Sequence, residues 1–287
     1  MPNFRFFTPD DKTELYKCFI SAFAGYFIPM QLSEVDFGRR LERMGVSLGW
    51  SAGVYEGNTL LGFILTGIGD FEGYHTAYNA GTGILPKARQ RGLTFKLYQW
   101  LIRELRENLS IEQFLLEVIE ENQAALRLYE KLGFRVSRYL HSYRIRKARF
   151  RRPRKRDQIQ VINTPLSLET HKPLAQFEPF WGNDFPALER GFRLRDYCLE
   201  YLSEGGELRG FLQGEVGSGK IAFWGSTPFD EFDQEVATEL FRTFAWLTPA
   251  TQLVILNIPA RADFTRRQLQ KWGARNYLNQ YEMKLLI

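Results

Sequence analysis

Three positive side chains and a glycine stand directly before an amphipathic helix in residues 83–97, GILPKARQRGLTFKL. The cations are Lys87, Arg89 and Arg91, and Gly92 is the last residue before the helical spacing of apolar residues begins. A helix N-terminus presents unpaired backbone N–H groups and a partial positive charge, and a glycine lets a ligand approach the backbone closely. The stretch therefore predicts a phosphate or pyrophosphate site, with a solvated basic loop as the alternative.

Two common nucleotide-binding motifs are absent from this stretch. A P-loop needs a glycine-lysine-serine/threonine signature, and a dinucleotide fingerprint needs several glycines, whereas only Gly92 lies between Pro86 and the helix. The predicted anion site thus depends on the helix terminus and on the charges around it.

Glu117 is a candidate general base, a group that accepts a proton from a reacting partner. Glu117 interrupts the apolar strand predicted over residues 114–119, where burial would raise the pKa of its carboxyl group towards neutrality. The alternative is a glutamate that faces solvent at a strand end or is paired with an arginine or tyrosine.

Tyr129 is the candidate acid. It follows Asn122 by two turns on the next predicted helix, and its phenol can donate a proton to a leaving group. A packed aromatic ring with a satisfied hydroxyl is the alternative.

These segments resemble two motifs of the GNAT family of acyl-CoA N-acyltransferases. The first motif, V/I-x-P followed by (R/Q)xxGx(G/A) at a helix start, is matched by residues 84–86 and 89–94. The second, N-x-x-A-x-x-L-Y-x-x-x-G-F, is matched by residues 122–134. The resemblance covers roughly residues 3–147. Thr94 departs from the family pattern, and its Cβ narrows the approach where relatives have a small residue.

The resemblance implies that acetyl-CoA is the acyl donor, that its pyrophosphate binds at the helix start and that Tyr129 protonates its sulfur. Acyl transfer from a thioester to an amine needs a proton removed from the ammonium group, a stabilised oxyanion and a protonated leaving thiolate. Glu117 is the candidate base for this reaction, and backbone N–H groups around Gly83 and Ile84 are the candidates for stabilising the oxyanion. Ribosomal-protein alanine N-acetyltransferases of the family carry a glutamate, proposed as the base, in a similar L-E-V context; Glu117 matches that position. The coenzyme-binding residues predicted in this way are Thr82, Gly83, Ile84, Arg89, Gln90, Arg91, Gly92, Leu93, Thr94, Phe95 and Asn122.

The elements that must position these residues follow from hydrophobic spacing. Strands are predicted over residues 4–7, 51–55, 60–66, 75–85, 114–119 and 134–145, and helices over residues 12–24, 32–44, 91–108 and 122–132. Gly133 ends the last helix, since glycine readily takes the left-handed conformation found there. The order predicts a mixed α/β fold, with helices covering a mixed sheet.

The second half reads as a degenerate copy of the first. Strands over residues 207–214, 221–224, 253–256 and 277–286 and helices over 231–246 and 264–272 repeat the order. Placing Gly273 on Gly133 gives an offset of 140, which puts Leu269, Ala262 and Asn257 at the positions of Tyr129, Asn122 and Glu117. Acidic residues after Pro228 replace the basic loop. We therefore predict two tandem GNAT-like domains, with an unrelated second α/β domain as the alternative.

Charge separates the two halves. Residues 1–156 hold 25 Lys and Arg against 16 Asp and Glu, which gives +9, and residues 157–287 hold 13 against 17, which gives −4; together these make the +5 of the chain. The basic run 144–156 contains Pro153 and lies at the change. We predict a catalytic domain over residues 1–147, a basic linker over 148–156 and a degenerate domain over 157–287.

The sequence as a whole predicts an acetyl-CoA-dependent N-acetyltransferase that transfers an acetyl group to a primary amine of a small molecule or peptide by direct attack. A non-catalytic module that binds coenzyme A or another protein is the alternative. A third possibility is an RNA-associated acetyltransferase that uses the basic run 144–156. Only Cys18 and Cys198 are present, and no metal-ligand spacing, signal peptide or membrane-length apolar run is visible. We expect no metal, no membrane, no nucleic acid partner and a cytoplasmic location.

Overall fold

The first unit of the protein is built from both ends of the chain. The computed structural model describes residues 2–28, 30–193, 196–226 and 234–287. The first unit comprises Met1–Ser137 and Tyr281–Ile287, and the second comprises Arg138–Gln280. The division differs from the sequence-based one at two places: residues 138–147 belong to the second unit here and were predicted in the first, and residues 281–287 belong to the first unit and were predicted in the second.

Strands and helices alternate along the described residues of both units. The strands are β1 Asn3–Phe6, β2 Ala52–Glu56, β3 Thr59–Phe71, β4 Tyr74–Ile84, β5 Gln113–Ile119, β6 Arg135–Arg146, β7 Ile159–Ile162, β8 Asp196–Leu202, β9 Leu208–Glu215, β10 Lys220–Ser226, β11 Gln252–Pro259 and β12 Arg275–Leu286. The helices are α1 Lys12–Ala22, α2 Glu34–Arg43, α3 Leu93–Leu109, α4 Gln123–Lys131, α5 Leu168–His171, α6 Phe185–Gly191, α7 Gln234–Leu247 and α8 Asp263–Lys271. None of these helices is long and apolar enough to cross a membrane.

In the first unit, β1 to β5 lie side by side in chain order, and the end of β12 from Tyr281 onward lies beside β5. The neighbours from β1 to β4 are antiparallel, and β4 and β5 are parallel. The mixed sheet confirms the predicted fold class.

Helices α1 and α3 cover opposite faces of this sheet. Successive side chains of a strand point to opposite faces, and β3 shows the result. Phe63 packs on Phe19 of α1 with ring centroids 5.8 Å apart, while Ile64 belongs to the core that α3 completes. Leu97 and Leu101 of α3 are fully buried at the four-residue spacing of one helix face.

Strands β4 and β5 pair over a short length and then diverge. Their pairing ends at Tyr78 and Leu115. Just beyond, Ala80 is passed over in the register between β3 and β4, which makes it a β-bulge that bends the strand. Residues 81–84 continue to pair with β3 but have no partner in β5. An open strand edge results at the end of β4.

The C-terminal residues complete the core of the first unit. Met283 is fully buried in the same cluster as α3 and α4. The backbone N–H of Ile287 donates to the backbone oxygen of Glu112 at 2.9 Å, and the hydroxyl of Ser137 donates to the Glu282 carboxylate at 2.6 Å. The predicted catalytic unit therefore includes the last seven residues of the chain, Tyr281–Ile287.

In the second unit, β6 from Arg138 onward, β11, β10, β9, β8 and β7 are neighbours in that order. Only β10 and β11 are parallel among the described pairs. Helix α7 covers the sheet, with Phe241 and Phe244 fully buried and Phe241 against Trp224 at a centroid distance of 5.2 Å. This unit repeats the mixed sheet of the first.

The basic run 144–156 is held by elements of the second unit. The Arg144 guanidinium lies over the Tyr277 ring, 4.1 Å from its centroid. The buried carboxylate of Glu239 accepts a hydrogen bond from the backbone N–H of Arg154 at 2.7 Å. These contacts place the run against folded structure of the second unit.

Candidate functional site

A cleft of about 500 Å³ lies where β4 and β5 separate in the first unit. Its walls come from the end of α1 and the turn after it, from the ends of β4 and β5, and from the starts of α3 and α4. The lining residues are Ala22, Phe23, Gly25, Tyr26, Phe27, Thr82, Gly83, Ile84, Arg89, Thr94, Glu117, Val118, Asn122, Ala124, Ala125, Leu128 and Tyr129. Both predicted catalytic residues therefore face the same cleft as six of the predicted coenzyme residues.

The start of α3 has the features of an anion site. Gly92 takes the left-handed conformation with φ +69°, and no atom lies within 4 Å of the Cβ position that it lacks. No side chain caps the helix, and no acidic residue lies in its first turn. The backbone N–H groups of the first turn are thus left for a ligand. Thr94, in this turn, lines the cleft.

The basic residues before α3 are divided between the cleft and the protein surface. Arg89 lines the cleft, and its guanidinium donates to the backbone oxygen of Ala22 at 3.0 Å. Arg91 instead forms an ion pair with Glu56 at 2.6 Å on the surface. The predicted coenzyme residues that do not line the cleft are Gln90, Arg91, Gly92, Leu93 and Phe95.

These five residues differ in their surroundings. Leu93 is buried in the core, and Phe95 lies under the Lys131 ammonium group, 4.7 Å from the ring centroid. Gln90 is exposed and has φ +63°, so it shapes the turn that leads to Gly92. Leu93 is therefore available to a ligand through its backbone alone.

The hydroxyl of Tyr129 lies in a buried polar network. The Asn79 amide donates to it at 3.5 Å, and the same amide's oxygen accepts from the Thr82 hydroxyl at 3.0 Å. The Thr82 hydroxyl also bonds the Tyr98 hydroxyl at 2.8 Å. Burial raises the pKa of Tyr129, and hydrogen bonds from its neighbours offset part of that rise. Tyr129 is thus a neutral phenol at physiological pH, able to donate.

The carboxylate of Glu117 is half-buried in a strand that is otherwise buried, as burial along β5 shows. It accepts a hydrogen bond of 2.5 Å from the hydroxyl of Tyr78. The Arg40 guanidinium interacts electrostatically with Glu117 and Tyr78, and burial lowers the pKa of Arg40. Burial and the charge of Glu117 raise the pKa of Tyr78. Glu117 therefore lines the cleft with its carboxyl group hydrogen-bonded to Tyr78.

The open edge of β4 supplies a backbone donor. The N–H of Leu85 donates to the backbone oxygen of Leu61, towards β3. Because N–H groups of an antiparallel strand alternate between its two edges, the N–H of Ile84 faces the opposite edge, where β5 has diverged. Asn122 lies across the cleft, where its side-chain oxygen caps α4 by accepting from the N–H of Ala125 at 3.2 Å.

The matching edge in the second unit is covered by the chain itself. Pairing of β10 with β11 ends at Ile221, and Gly225 of β10 instead pairs with Ala175. The Gln176 amide donates to the backbone oxygen of the residue after Gly225 at 3.0 Å. A Cβ at Gly225 would come within 2.2 Å of the Leu174 backbone oxygen. The acidic residues predicted to replace the basic loop lie largely at 227–233, outside the described residues.

Sequence reasoning missed the side chains that hold the two candidate catalytic groups in place. They are Asn79 and Tyr98 around Tyr129, and Tyr78 and Arg40 around Glu117. An asparagine within an apolar strand was the available signal, because a buried amide needs partners. Among the described residues, no group of three or more His, Cys, Asp or Glu side chains could hold a metal ion.

Residues 14–134 match the model of the acetyltransferase (GNAT) family. No curated protein sequence matches the chain.

Solved structures resemble the chain over its whole length. A GCN5-related N-acetyltransferase from Sphaerobacter thermophilus has 14% identity and a TM-score of 0.67, covering 99% of this chain and 95% of its own. A tandem GNAT protein from the clavulanic acid biosynthesis pathway has 13% identity and a TM-score of 0.70, and the match covers 100% of this chain and 98% of that protein. A GCN5-related N-acetyltransferase from Anabaena variabilis has 13% identity and a TM-score of 0.63, and the match covers 100% of this chain and 73% of that protein. At these identities the likeness establishes a shared fold.

Proposed function

The chain has the fold of tandem GNAT proteins and carries a GNAT acetyltransferase domain within residues 14–134, and from this premise we propose that its first unit transfers an acetyl group from acetyl-CoA to a primary amine. The observation that supports this most is the cleft where β4 and β5 diverge. It brings a carboxylate, Glu117, and a protonated phenol, Tyr129, to the open edge of β4.

Coenzyme A would bind along this edge and at the start of α3. The uncapped helix N-terminus beside Gly92 suits the pyrophosphate, because backbone N–H groups and the helix dipole favour an anion there. The backbone of residues 82–84 offers hydrogen bonds to the amide groups of the coenzyme arm, as a partner strand would. Arg89 and Asn122 flank this path.

The reaction would be a direct attack in a ternary complex. The amine nitrogen bonds to the acetyl carbon, the carbon–sulfur bond breaks, and the proton of the amine passes to Glu117 directly or through water. The N–H of Ile84 stabilises the oxyanion of the intermediate. Tyr129 donates its proton towards the leaving sulfur and is reprotonated from solvent. Since thiols have a pKa of about 8.5, below that of a buried tyrosine, a strong hydrogen bond to the forming thiolate carries much of this effect.

A screen of primary amines with acetyl-CoA tests the proposal. Release of free coenzyme thiol that depends on both the enzyme and an amine is the expected result, and mass spectrometry of the product should show one added acetyl group. Calorimetry with acetyl-CoA alone is run alongside. Coenzyme binding without turnover of any amine would favour the non-catalytic module, and absence of binding would contradict both.

A further inference from the structure

Three aromatic rings crowd one wall of the cleft, in the turn that follows α1. Phe23 and Tyr26 meet edge to face with centroids 5.1 Å apart, and Tyr26 and Phe27 do the same at 5.4 Å. All three line the cleft. Phe27 is 58% exposed, and its neighbour Ile28 is 36% exposed, so apolar surface is left uncovered at the cleft.

A second surface of the cleft is also apolar. Val118 from β5 and Ala124, Ala125 and Leu128 from the start of α4 line it. An aromatic-sized apolar group in contact with this surface and with the three rings would remove both surfaces from water. Removal of apolar surface from water is favourable, so burial of such a group against both surfaces would stabilise its binding.

Charge in the cleft is sparse. Among the described lining residues, Glu117 is the one acidic side chain and Arg89 the one basic side chain. The guanidinium of Arg89 donates to the backbone oxygens of Ala22 and Ile84, at 3.0 and 3.4 Å. Glu117 is therefore the group that would attract the ammonium form of an acceptor.

Two neutral polar side chains of the cleft, Asn122 and Thr82, are already hydrogen-bonded to the protein. Asn122 uses its oxygen on the N–H of Ala125 and its amide on the hydroxyl of Tyr26. The Thr82 hydroxyl is bonded to Asn79 and Tyr98. A polyhydroxylated acceptor would lose water at each hydroxyl and gain few hydrogen-bond partners, and each hydroxyl left unpaired makes binding less favourable.

We propose that the acceptor is a primary amine carried on an apolar group of aromatic size, with its ammonium group at Glu117 and its apolar group against Phe23, Tyr26 and Phe27. This inference rests on the proposed function and names the acceptor class of the same site. The apolar wall formed by these three rings is then a specificity determinant, separate from the residues assigned to the chemistry.

Matched acceptors test it in steady-state kinetics that follow release of the coenzyme thiol. The pair 2-phenylethylamine and glucosamine compares an apolar ring with a polyhydroxylated one, and ethylamine has neither ring. We expect kcat/KM for 2-phenylethylamine to exceed that for glucosamine by at least about tenfold. An equal or higher kcat/KM for glucosamine would overturn the acceptor class while leaving the acetyltransferase proposal in place.

Phe27→Ala locates the effect, and Phe264→Ala is its matched control. Both side chains are highly exposed, 58% and 60%, so neither change threatens folding. Phe264 lies on α8 of the second unit. We expect Phe27→Ala to raise KM for 2-phenylethylamine by about fivefold, with kcat and the constants for ethylamine nearly unchanged, and Phe264→Ala to change none of them. Equal effects of Phe27→Ala on both amines would contradict the proposed wall.

Binding gives a readout that does not depend on turnover. Ligand-observed NMR with coenzyme A present should show saturation transfer to the ring protons of 2-phenylethylamine, reduced in Phe27→Ala. If no amine is acetylated but this signal is found, the cleft binds apolar amines against the three rings and the acetyltransferase proposal fails. If the signal is absent, the acceptor class is wrong whatever the kinetics show.

Discussion

Two segments 140 residues apart have nearly the same backbone conformation but carry different side chains at the positions of the candidate catalytic residues. Helix α4, Gln123–Lys131, is matched by α8, Asp263–Lys271, at an offset of 140, and the strands that follow them share it. The residue before each helix has φ and ψ of −82° and 65° at Asn122 and −78° and 61° at Ala262. The segments are copies at the level of backbone conformation.

The hydrogen bonds that end the two helices also correspond. The N–H of Phe134 donates to the oxygen of Tyr129 at 3.0 Å, and that of Ala274 to the oxygen of Leu269 at 2.9 Å. These bonds use main-chain atoms, so the side chain at the tyrosine position is free to change. A glycine with positive φ follows each helix, since that conformation strains other residues.

Side chains distinguish the segments. Leu269 is fully buried in the core of the second unit, whereas Tyr129, at the matching position of the first unit, presents a hydroxyl to the cleft. Asn257, at the position of Glu117, has φ +57°, and its backbone N–H is not available to a ligand because it donates to the Ser142 hydroxyl at 3.1 Å. The comparison shows that a fold persists on backbone bonds and core packing while its chemistry is replaced.

The largest expected effect is that of Tyr129→Phe. The change keeps the buried ring and removes the hydroxyl, so turnover should fall by about 10²–10⁴ with coenzyme binding nearly unchanged. Leu269→Met, a volume-conserving change at the matching position, should leave turnover unaltered. Full activity in Tyr129→Phe would remove its assignment as the acid.

The pH profile of the native enzyme sharpens this assignment. Because burial raises the pKa of Tyr129 above its ordinary value of 10.0, its protonated form persists through neutral pH and is lost only as the pH rises through the raised value. No decline in kcat from this group is therefore expected below about pH 10.

Glu117→Gln should reduce turnover by about 10², most strongly at low pH, where little acceptor amine is deprotonated. Raising the pH should restore part of the rate, because more amine arrives without its extra proton. The control is Glu121→Gln, an exposed carboxylate near the start of α4, for which the profile should not change. A profile of Glu117→Gln parallel to that of the native enzyme would leave the glutamate without a role as base.

Gly92→Asp should weaken coenzyme A binding by at least about tenfold in calorimetry, about 1.4 kcal/mol, because it places a carboxylate beside the pyrophosphate site. Gly92→Asn is the matched control for the strain of φ +69°, since it adds a side chain of the same size without charge. Equal affinities of the two variants would show that charge at this position is irrelevant.

The same titration compares the two units. Since residues 174–176 cover the edge of β10, binding should saturate at one coenzyme per chain. Two sites of similar affinity would contradict the assignment of the second unit as degenerate.

The smallest effects concern the helix caps. Asn122→Ala removes a side-chain cap from α4 and should lower the free energy of unfolding by about 1 kcal/mol. Ala262→Ser offers a cap to α8 at almost the same backbone angles and should raise it by a smaller amount. Chemical denaturation measures both. Equal and negligible changes would indicate that the caps do not contribute to stability.

Many helices and strands of the first unit could be predicted, because hydrophobic spacing and capping residues lie close together in the sequence. The helix that begins after Gly92, the strand around Glu117 and the helix ended by Gly133 follow from spacing and capping. The structure confirms the mixed α/β class, solved tandem GNAT structures share the fold, and residues 14–134 match the GNAT family model. The roles of individual site residues stay predictions, as does the domain boundary at residues 147–157.

The sequence by itself determined the elements, the motif order and the 140-residue repeat, since each depends on residues close together in the chain. The tertiary structure decided what surrounds Glu117 and Tyr129. Asn79 reaches Tyr129 across 50 positions, and Tyr78 reaches Glu117 across 39. It also decided that the first core needs Tyr281–Ile287 and that residues 174–176 cover the edge of β10. Such contacts depend on which strand edges remain unpaired after the sheets form, and no local pattern of side chains records that outcome.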